Sequence, residues 1–189
     1  IPREWNISYL KEIADIIDPN PSHRYPPEVN DGVPIISTAN FVGQDSYDDS
    51  DAKKVPEAVY REQMLRCDFA TDDVVFARKG RIGFARQYGN TRKVFSHTIV
   101  LMKALDQVSP QFLLWLVRSQ GFHQGIRHKM NSNSGVPTLG VAFLGEVPVM
   151  LPKRREQEGI AEALKQLNDR THAEREVLGK LLTQKRGLI

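Results

Sequence analysis

Up to Leu151 the apolar residues come in short runs broken by polar and turn-forming stretches, and after Pro152 they fall into a three-and-four-residue rhythm. Near the start, Leu10, Ile13, Ala14 and Ile17 stand at helical spacing, while Ile7-Ser8-Tyr9-Leu10 fits equally a strand leading into a short turn. Asp18-Pro19-Asn20-Pro21-Ser22 and Tyr25-Pro26-Pro27 predict a loop. Val33 to Ser37, directly after Asp31-Gly32, predicts a strand, and the acidic stretch Asp45 to Lys54 a surface loop. Val74 to Ala77 reads as a buried strand, and Ile82, Phe84, Arg86 and Tyr88 alternate as the next, turning at Gly89-Asn90. Thr98 to Met102 is a third. Ser109-Pro110 pairs a capping hydroxyl with a proline at the first helical position, so a helix follows with Phe112, Leu113, Leu116 and Val117 facing inward. Asn131-Ser132-Asn133-Ser134-Gly135 is a polar loop, and Val147 to Leu151 a last strand.

The rhythm after Pro152 is that of a coiled-coil seam. Gln157, Ile160, Leu164, Leu167, Thr171, Glu174, Leu178, Leu181, Lys185 and Leu188 occupy alternating three- and four-residue steps, with Leu or Ile at six of the ten. The expected pairing residues are those six: Ile160, Leu164, Leu167, Leu178, Leu181 and Leu188. A helix over the residues after Pro152, 153–189, would span roughly 55 Å at 1.5 Å per residue, more than a domain of this size is wide. It is expected to project, and its apolar stripe then needs a partner. The alternative is a helix folded back on its own domain.

Charge distribution says more than total charge. Residues 1–73 carry a net −8, residues 74–145 a net +9 with Asp106 as the only carboxylate, and the remainder a net +2. A long block almost free of carboxylates suits a polyanion, provided folding gathers its cations on one side. Residues 74–93 concentrate it, with six Lys or Arg, no Asp or Glu and three glycines. Arginines fork onto guanine or phosphate, Asn and Gln pair with adenine, and glycines let a backbone approach a duplex. The candidate DNA-binding residues are therefore Arg78, Lys79, Arg81, Arg86, Gln87, Asn90, Arg92 and Lys93, with Asn131, Ser132, Asn133 and Ser134 on the later loop. One cysteine, Cys67, excludes an internal disulfide and a four-cysteine zinc site, and a reducing, cytoplasmic setting is expected. No apolar run approaches the roughly 20 residues of a membrane span. The first residues do not form a secretion signal, and a start at Ile1 rather than Met suggests trimming.

Catalytic motifs are missing where they would be sought. Gly80 and Gly83, three apart and followed by strand-like alternation, match neither a Walker loop nor a dinucleotide loop. His123 and His128, five apart, point about 140° from each other on a helix and make a poor metal pair. Ser96 and His97 are adjacent and so face opposite sides of a strand. Tyr25-Pro26-Pro27 lacks the polar residue that an adenine methyltransferase places before its prolines. Asp51-Ala52-Lys53 matches the end of a metal-dependent nuclease motif but sits in an acidic loop. A nuclease using Asp51 and Lys53, or a non-catalytic module that interacts through its helix, are the alternatives to DNA reading.

Several motifs together resemble one half of the specificity subunit of type I restriction–modification enzymes. Pro2-x-x-Trp5 with Leu10 is similar to the start of that family's target-recognition domain. Asp31-Gly32-Val33-Pro34-Ile35-Ile36 resembles an early strand of it, and Asp73-Val74-Val75-Phe76-Ala77 with Gly80 and Gly83 its strand and glycine turn. The most specific part is Leu144-Gly145-x-Val147-Pro148-Val149-x-Leu151-Pro152 running into Arg155-Glu156-Gln157-x-x-Ile160-Ala161, then a long helix ending Lys185-Arg186-Gly187-Leu188. The resemblance implies an α+β fold. A target-recognition domain over residues 1–150, with a twisted, mostly antiparallel or mixed sheet and short helices, precedes one coiled-coil-forming helix over 151–189. It implies no catalysis by the chain itself and no cofactor of its own. Double-stranded DNA, methyltransferase subunits carrying S-adenosylmethionine, and a motor–nuclease subunit would be its partners. In that family two recognition domains and two antiparallel helices share one chain, whereas one of each is present here. A natural half-subunit and a fragment both remain open, and pairing with a second half or a second copy would restore the two-fold arrangement.

Overall fold

The computed structural model describes Pro2 and residues 4–127 and 138–187. His128, Asn131, Ser132, Asn133, Ser134 and Leu188, all singled out above, lie outside the described residues. Strand β1 (Asn6–Tyr9) runs into a single helical turn, α1 (Leu10–Ile13), and then β2 (Ala14–Ile17). The helical spacing of Leu10 and Ile13 is thus real but lasts one turn, and the strand reading holds on either side of it. Then follow β3 (Val33–Ile36), the hairpin β4 (Phe41–Val42) and β5 (Ser46–Tyr47), β6 (Lys54–Val55) and α2 (Glu57–Cys67). The middle of the chain forms β7 (Val74–Ala77), β8 (Ala85–Gln87), β9 (Val94–Phe95) and β10 (Ile99–Ala104). Helices α3 (Pro110–Arg118), α4 (Gln120–Arg127) and α5 (Val141–Gly145) precede β11 (Pro148–Leu151) and the long α6 (Arg154–Gly187).

The central sheet is antiparallel in the order β2-β10-β7-β8. Its two inner strands are buried on both faces, which explains why Val74-Val75-Phe76-Ala77 and Ile99-Val100-Leu101-Met102 are unbroken apolar runs rather than alternations. Val74, Phe76, Val100 and Met102 face Phe112, Leu113 and Val117 of α3 and Phe122 and Ile126 of α4. The opposite residues, Val75, Ala77, Ile99 and Leu101, face Ile36, Phe41, Tyr88 and Phe95. A second sheet, β6-β3-β9, has β3 antiparallel to β6 and parallel to β9, so the fold is mixed α+β. Gly32 at its entry is required by space, since a Cβ there would lie 2.3 Å from the Val55 carbonyl oxygen.

Helix α3 starts as its sequence predicts, with Ser109 Oγ accepting from the Phe112 amide and proline in the first turn. The alternation Ile82 to Tyr88 does not give a strand of that length. Only Ala85–Gln87 pairs with β7, because residues 78–84 are consumed by a turn in which Gly80 (φ +74°) and Gly83 (φ +90°) take left-handed backbone. Phe84 is consequently exposed, while Arg86, opposite Val75, points into the second core.

Helix α6 has 34 residues, about 51 Å at 1.5 Å per residue. Its root is fixed to the domain by Gln157 and Ala161, its only buried residues, and by half-buried Ile160. The Gln157 side chain accepts from the Ser109 amide at 2.9 Å and donates to the carbonyls of Pro152 at 2.9 Å and Gln107 at 3.2 Å. Beyond that root the helix lines a groove with the domain as far as Glu176. Leu167, Leu178 and Leu181 are 61%, 55% and 56% exposed, so the stripe is not spent on this domain.

Candidate nucleic-acid interface

Strand β7 must reverse into β8, and the turn that does so carries Arg78, Lys79 and Arg81. Arg78 does not reach the surface. It is 5% exposed, donates from Nε to the His97 carbonyl at 2.9 Å and from Nη2 to Asp18 Oδ2 at 2.9 Å. It is a structural ion pair joining the ends of β2 and β7. Burial, reinforced by Lys79, holds the neighbouring His97 imidazole below its ordinary pKa. Lys79 is half-buried and bridged to Thr138, and the Leu139 amide donates to the Arg78 carbonyl at 2.8 Å. Thr138 and Leu139 are thereby tied beside this turn. Arg81 is exposed, with Nη1 donating to the Phe41 carbonyl at 2.7 Å and its guanidinium 4.4 Å from the centre of the Phe84 ring.

Two more candidates are interior. Arg86 is 0% exposed, lies 3.9 Å over the Phe41 ring and donates Nη1 to the carbonyls of Val42 and Ser46. Burial lowers its pKa to about 10. Lys93 is 2% exposed, with Nζ over the rings of Tyr88 and Tyr47 at 4.2 and 4.7 Å, bonded to the Thr91 carbonyl and hydroxyl. Burial lowers it to about 8. Arg78, Arg86 and Lys93 thus leave the reading set, and the expectation that the cations gather on one face is corrected. A strand alternates faces, and register with β7 sends Arg86 inward. Arg92 is exposed but paired with Glu57 and stacked 4.6 Å over Tyr60, on the side of α2. Gln87 is half-buried, its carbonyl accepting from Tyr47 Oη at 2.7 Å, and Asn90 is exposed in the turn after Gly89.

What the sequence reading missed is Arg118 and the β4–β5 hairpin. From α3, Arg118 donates to the Ala85 carbonyl through Nε and Nη2, and through Nη2 to the Gln44 carbonyl at 3.2 Å and the Asp45 carboxylate. The signal was present as Phe41-Val42-Gly43-Gln44-Asp45-Ser46-Tyr47, two aromatics flanking a glycine turn. The arginine partners of that turn lie 40 and more residues away. Between this hairpin, the Gly83–Phe84 turn, Trp115 and Arg118 on one side and Asn168 and His172 of α6 on the other runs a groove of about 900 Å³.

On α6, Leu164, Leu167, Thr171, Leu178 and Leu182 fall within a sector of roughly 60° at 100° per residue. Asn168, His172 and Glu176 stand to one side of it, toward the groove. The seam therefore adjoins the groove, which its Leu164 and Thr171 also line. Ile160 is removed from it, being packed against the domain core, while Leu182, 45% exposed, joins it. Ion pairs Lys165–Asp169 and Arg170–Glu174 lie along the helix surface.

Catalytic geometry is not assembled by the candidates named for it. Ser96 Oγ is buried against Thr98 Oγ1 at 2.8 Å, and burial pushes the Cys67 thiol up to about 12. Asp51 is exposed in a turn, Lys53 pairs with Glu28 at 2.8 Å, and among the described residues no group of three His, Cys, Asp or Glu could hold a metal. Among the described residues no helix is long and apolar enough to cross a membrane.

Solved structures share this fold. A chain of the type I R-M system, from work on its complex assembly and conformational transition, superposes with a TM-score of 0.64 at 17% identity, covering 92% of this chain and 40% of that one. The HsdS subunit from Thermoanaerobacter tengcongensis gives 0.62 at 18%, covering 92% and 39%. The type I restriction-modification S subunit from M. genitalium gives 0.57 at 12%, covering 89% and 40%. This chain thus spans about two fifths of the length of those it matches. No curated protein gives a sequence match. The sequence model of the type I restriction modification DNA specificity domain matches residues 2–182, nearly the whole chain, and the protein belongs to that family.

Proposed function

We propose that this chain reads one half of a bipartite duplex DNA target and directs methylation and restriction by partner subunits. The globular part up to β11 is the reader, and α6 is the spacer that sets its distance from a second recognition domain. The observation that carries this reading is the exposed stripe Leu164–Leu182 on a helix rooted rigidly by Gln157, in a chain two fifths as long as its structural relatives. A second specificity half or a second copy covers the stripe, antiparallel to it. Methyltransferase subunits dock on the resulting pair and bring S-adenosylmethionine, and a motor–nuclease subunit joins them. The chain supplies recognition and positioning, not bond-breaking groups, in a reducing cytoplasm. Lys79, Arg81 and Asn90 are its contacts to DNA, together with Asn131, Ser132, Asn133 and Ser134.

The test uses the chain assembled with its methyltransferase. Duplexes containing the half-site should bind with an affinity that falls with salt by about 0.9 log units per log unit for each phosphate neutralised. Arg81→Ala should lower both affinity and that slope, since a lost phosphate contact removes one released counterion. Binding indifferent to salt, or to DNA sequence, would favour a plain interaction module instead.

A further inference from the structure

Hairpin β4–β5 has two residues in each strand, far too few to hold its own shape in water. Its shape is imposed by three arginines that approach it from the domain side. Arg81 donates to the Phe41 carbonyl, Arg86 to those of Val42 and Ser46, and Arg118 to that of Gln44 and to the Asp45 carboxylate. The three come from three different places in the fold, the β7–β8 turn, β8 and α3, and they converge on one six-residue stretch, Phe41 to Ser46. Charge-assisted bonds of this kind are stronger than neutral ones, and two of the arginines are fixed in turn by stacking on Phe41 and Phe84. Beneath the hairpin Phe41 is buried, and Tyr47 Oη donates to the Gln87 carbonyl.

All this restraint acts on the carbonyl side and leaves the outer side of the turn bare. Val42, Gly43, Gln44 and Ser46 are exposed, and among the described residues the Gln44 side-chain amide has no hydrogen-bond partner. Gly43 has φ +53°, and a Cβ placed there would meet nothing within 4 Å, so the glycine serves backbone conformation and clearance rather than internal packing. The turn stands beside exposed Arg81 and Phe84, and Gly43, Gln44 and Phe84 line the groove. A neutral amide on a rigid, clear turn, next to a cation suited to phosphate, has the make-up of a base reader rather than a backbone anchor.

We propose that Gln44 is a specificity-determining residue, which pairs through its amide with the edge of an adenine-containing base pair in the half-site. Arg118 and Arg86 are positioning residues that hold the turn carrying it. The inference rests on the DNA-reading function proposed above.

The experiment is a methylation assay of the chain assembled with its methyltransferase, on a duplex library randomised across the half-site. The wild-type chain should yield a defined motif. Gln44→Ala should loosen one base pair of it, with discrimination there falling by about 5- to 150-fold while the other positions stay as they were. Gln44→Glu should shift that position toward cytosine, whose amino group a carboxylate accepts. Because Gln44 is exposed, both variants should melt with the wild type. A motif unchanged in Gln44→Ala overturns the inference while leaving DNA reading intact. A uniform loss over all sequences also overturns it, by making Gln44 a backbone contact. Absence of any motif with the wild-type chain refutes the underlying function instead.

Discussion

Gln157 distinguishes a helix rooted in its domain from a helix that begins as a coiled-coil seam. By heptad position it belongs to the seam, where leucine would strengthen pairing. In the fold it is 1% exposed and satisfies the Ser109 amide and the carbonyls of Pro152 and Gln107. Gln157→Leu keeps most of the volume and strips all three bonds. The Gln107 carbonyl is only partly buried and can turn to water, but the Ser109 amide and the Pro152 carbonyl cannot. Two buried groups left unpaired cost about 2 kcal/mol each, the middle of the usual range, and the added apolar burial returns about 1–2 kcal/mol, for a net loss of about 2–3 kcal/mol. For a chain of this size that is a fall in Tm of about 5–10 °C. Differential scanning calorimetry measures it, and hydrogen exchange should show amide protection lost first at the start of α6. An unchanged or higher Tm, with tighter self-association, would refute the rooted helix and return Gln157 to the seam.

Other consequences separate structure from recognition. Arg78→Leu takes the guanidinium from a largely buried Asp18, which keeps the Asn20 amide and the His23 ring as partners, and should cost about 3 kcal/mol in urea unfolding. Arg81→Ala, which loses one hydrogen bond to the Phe41 carbonyl, should cost about 1 kcal/mol, a fall in Tm of about 2–4 °C, and should weaken DNA binding as well. Folded Lys93 titrates near 8 against an ordinary 10.5, so the folded state binds fewer protons than the unfolded one between those values. Stability relative to a Lys93→Met variant should therefore rise as pH increases from about 8 toward 10.5, and equal pH profiles of the two would contradict the burial. Leu178→Glu, at a position 55% exposed in the single chain, should abolish helix pairing in sedimentation while the domain melts unchanged.

Elements built from neighbours in the chain were legible at once. Val74–Ala77, the Ser109-Pro110 helix start and the long helix after Pro152 follow from periodicity, capping and proline geometry, which act over a few residues. The junction from Leu144 to Ala161 carried the family, which the match over residues 2–182 bears out. The charge block was legible as composition but not as a surface. Which cations stay outside depends on the register of β8 against β7 and on distant aromatics, so Arg86 and Lys93 end inside tyrosine and phenylalanine cages.

The chain by itself determined β3, β7, β10 and β11, the start of α3 and the leucine stripe of α6, because each is decided by backbone and side-chain preferences within one or two turns. Only the tertiary structure decided that Gln157 is a root, that Arg78 is an ion-pair partner, and that Arg81, Arg86 and Arg118 converge on the hairpin at Gln44. These contacts join residues roughly 40 to 75 positions apart, and long-range packing, with its own gain from burial and hydrogen bonding, selects among surfaces that local spacing leaves equivalent.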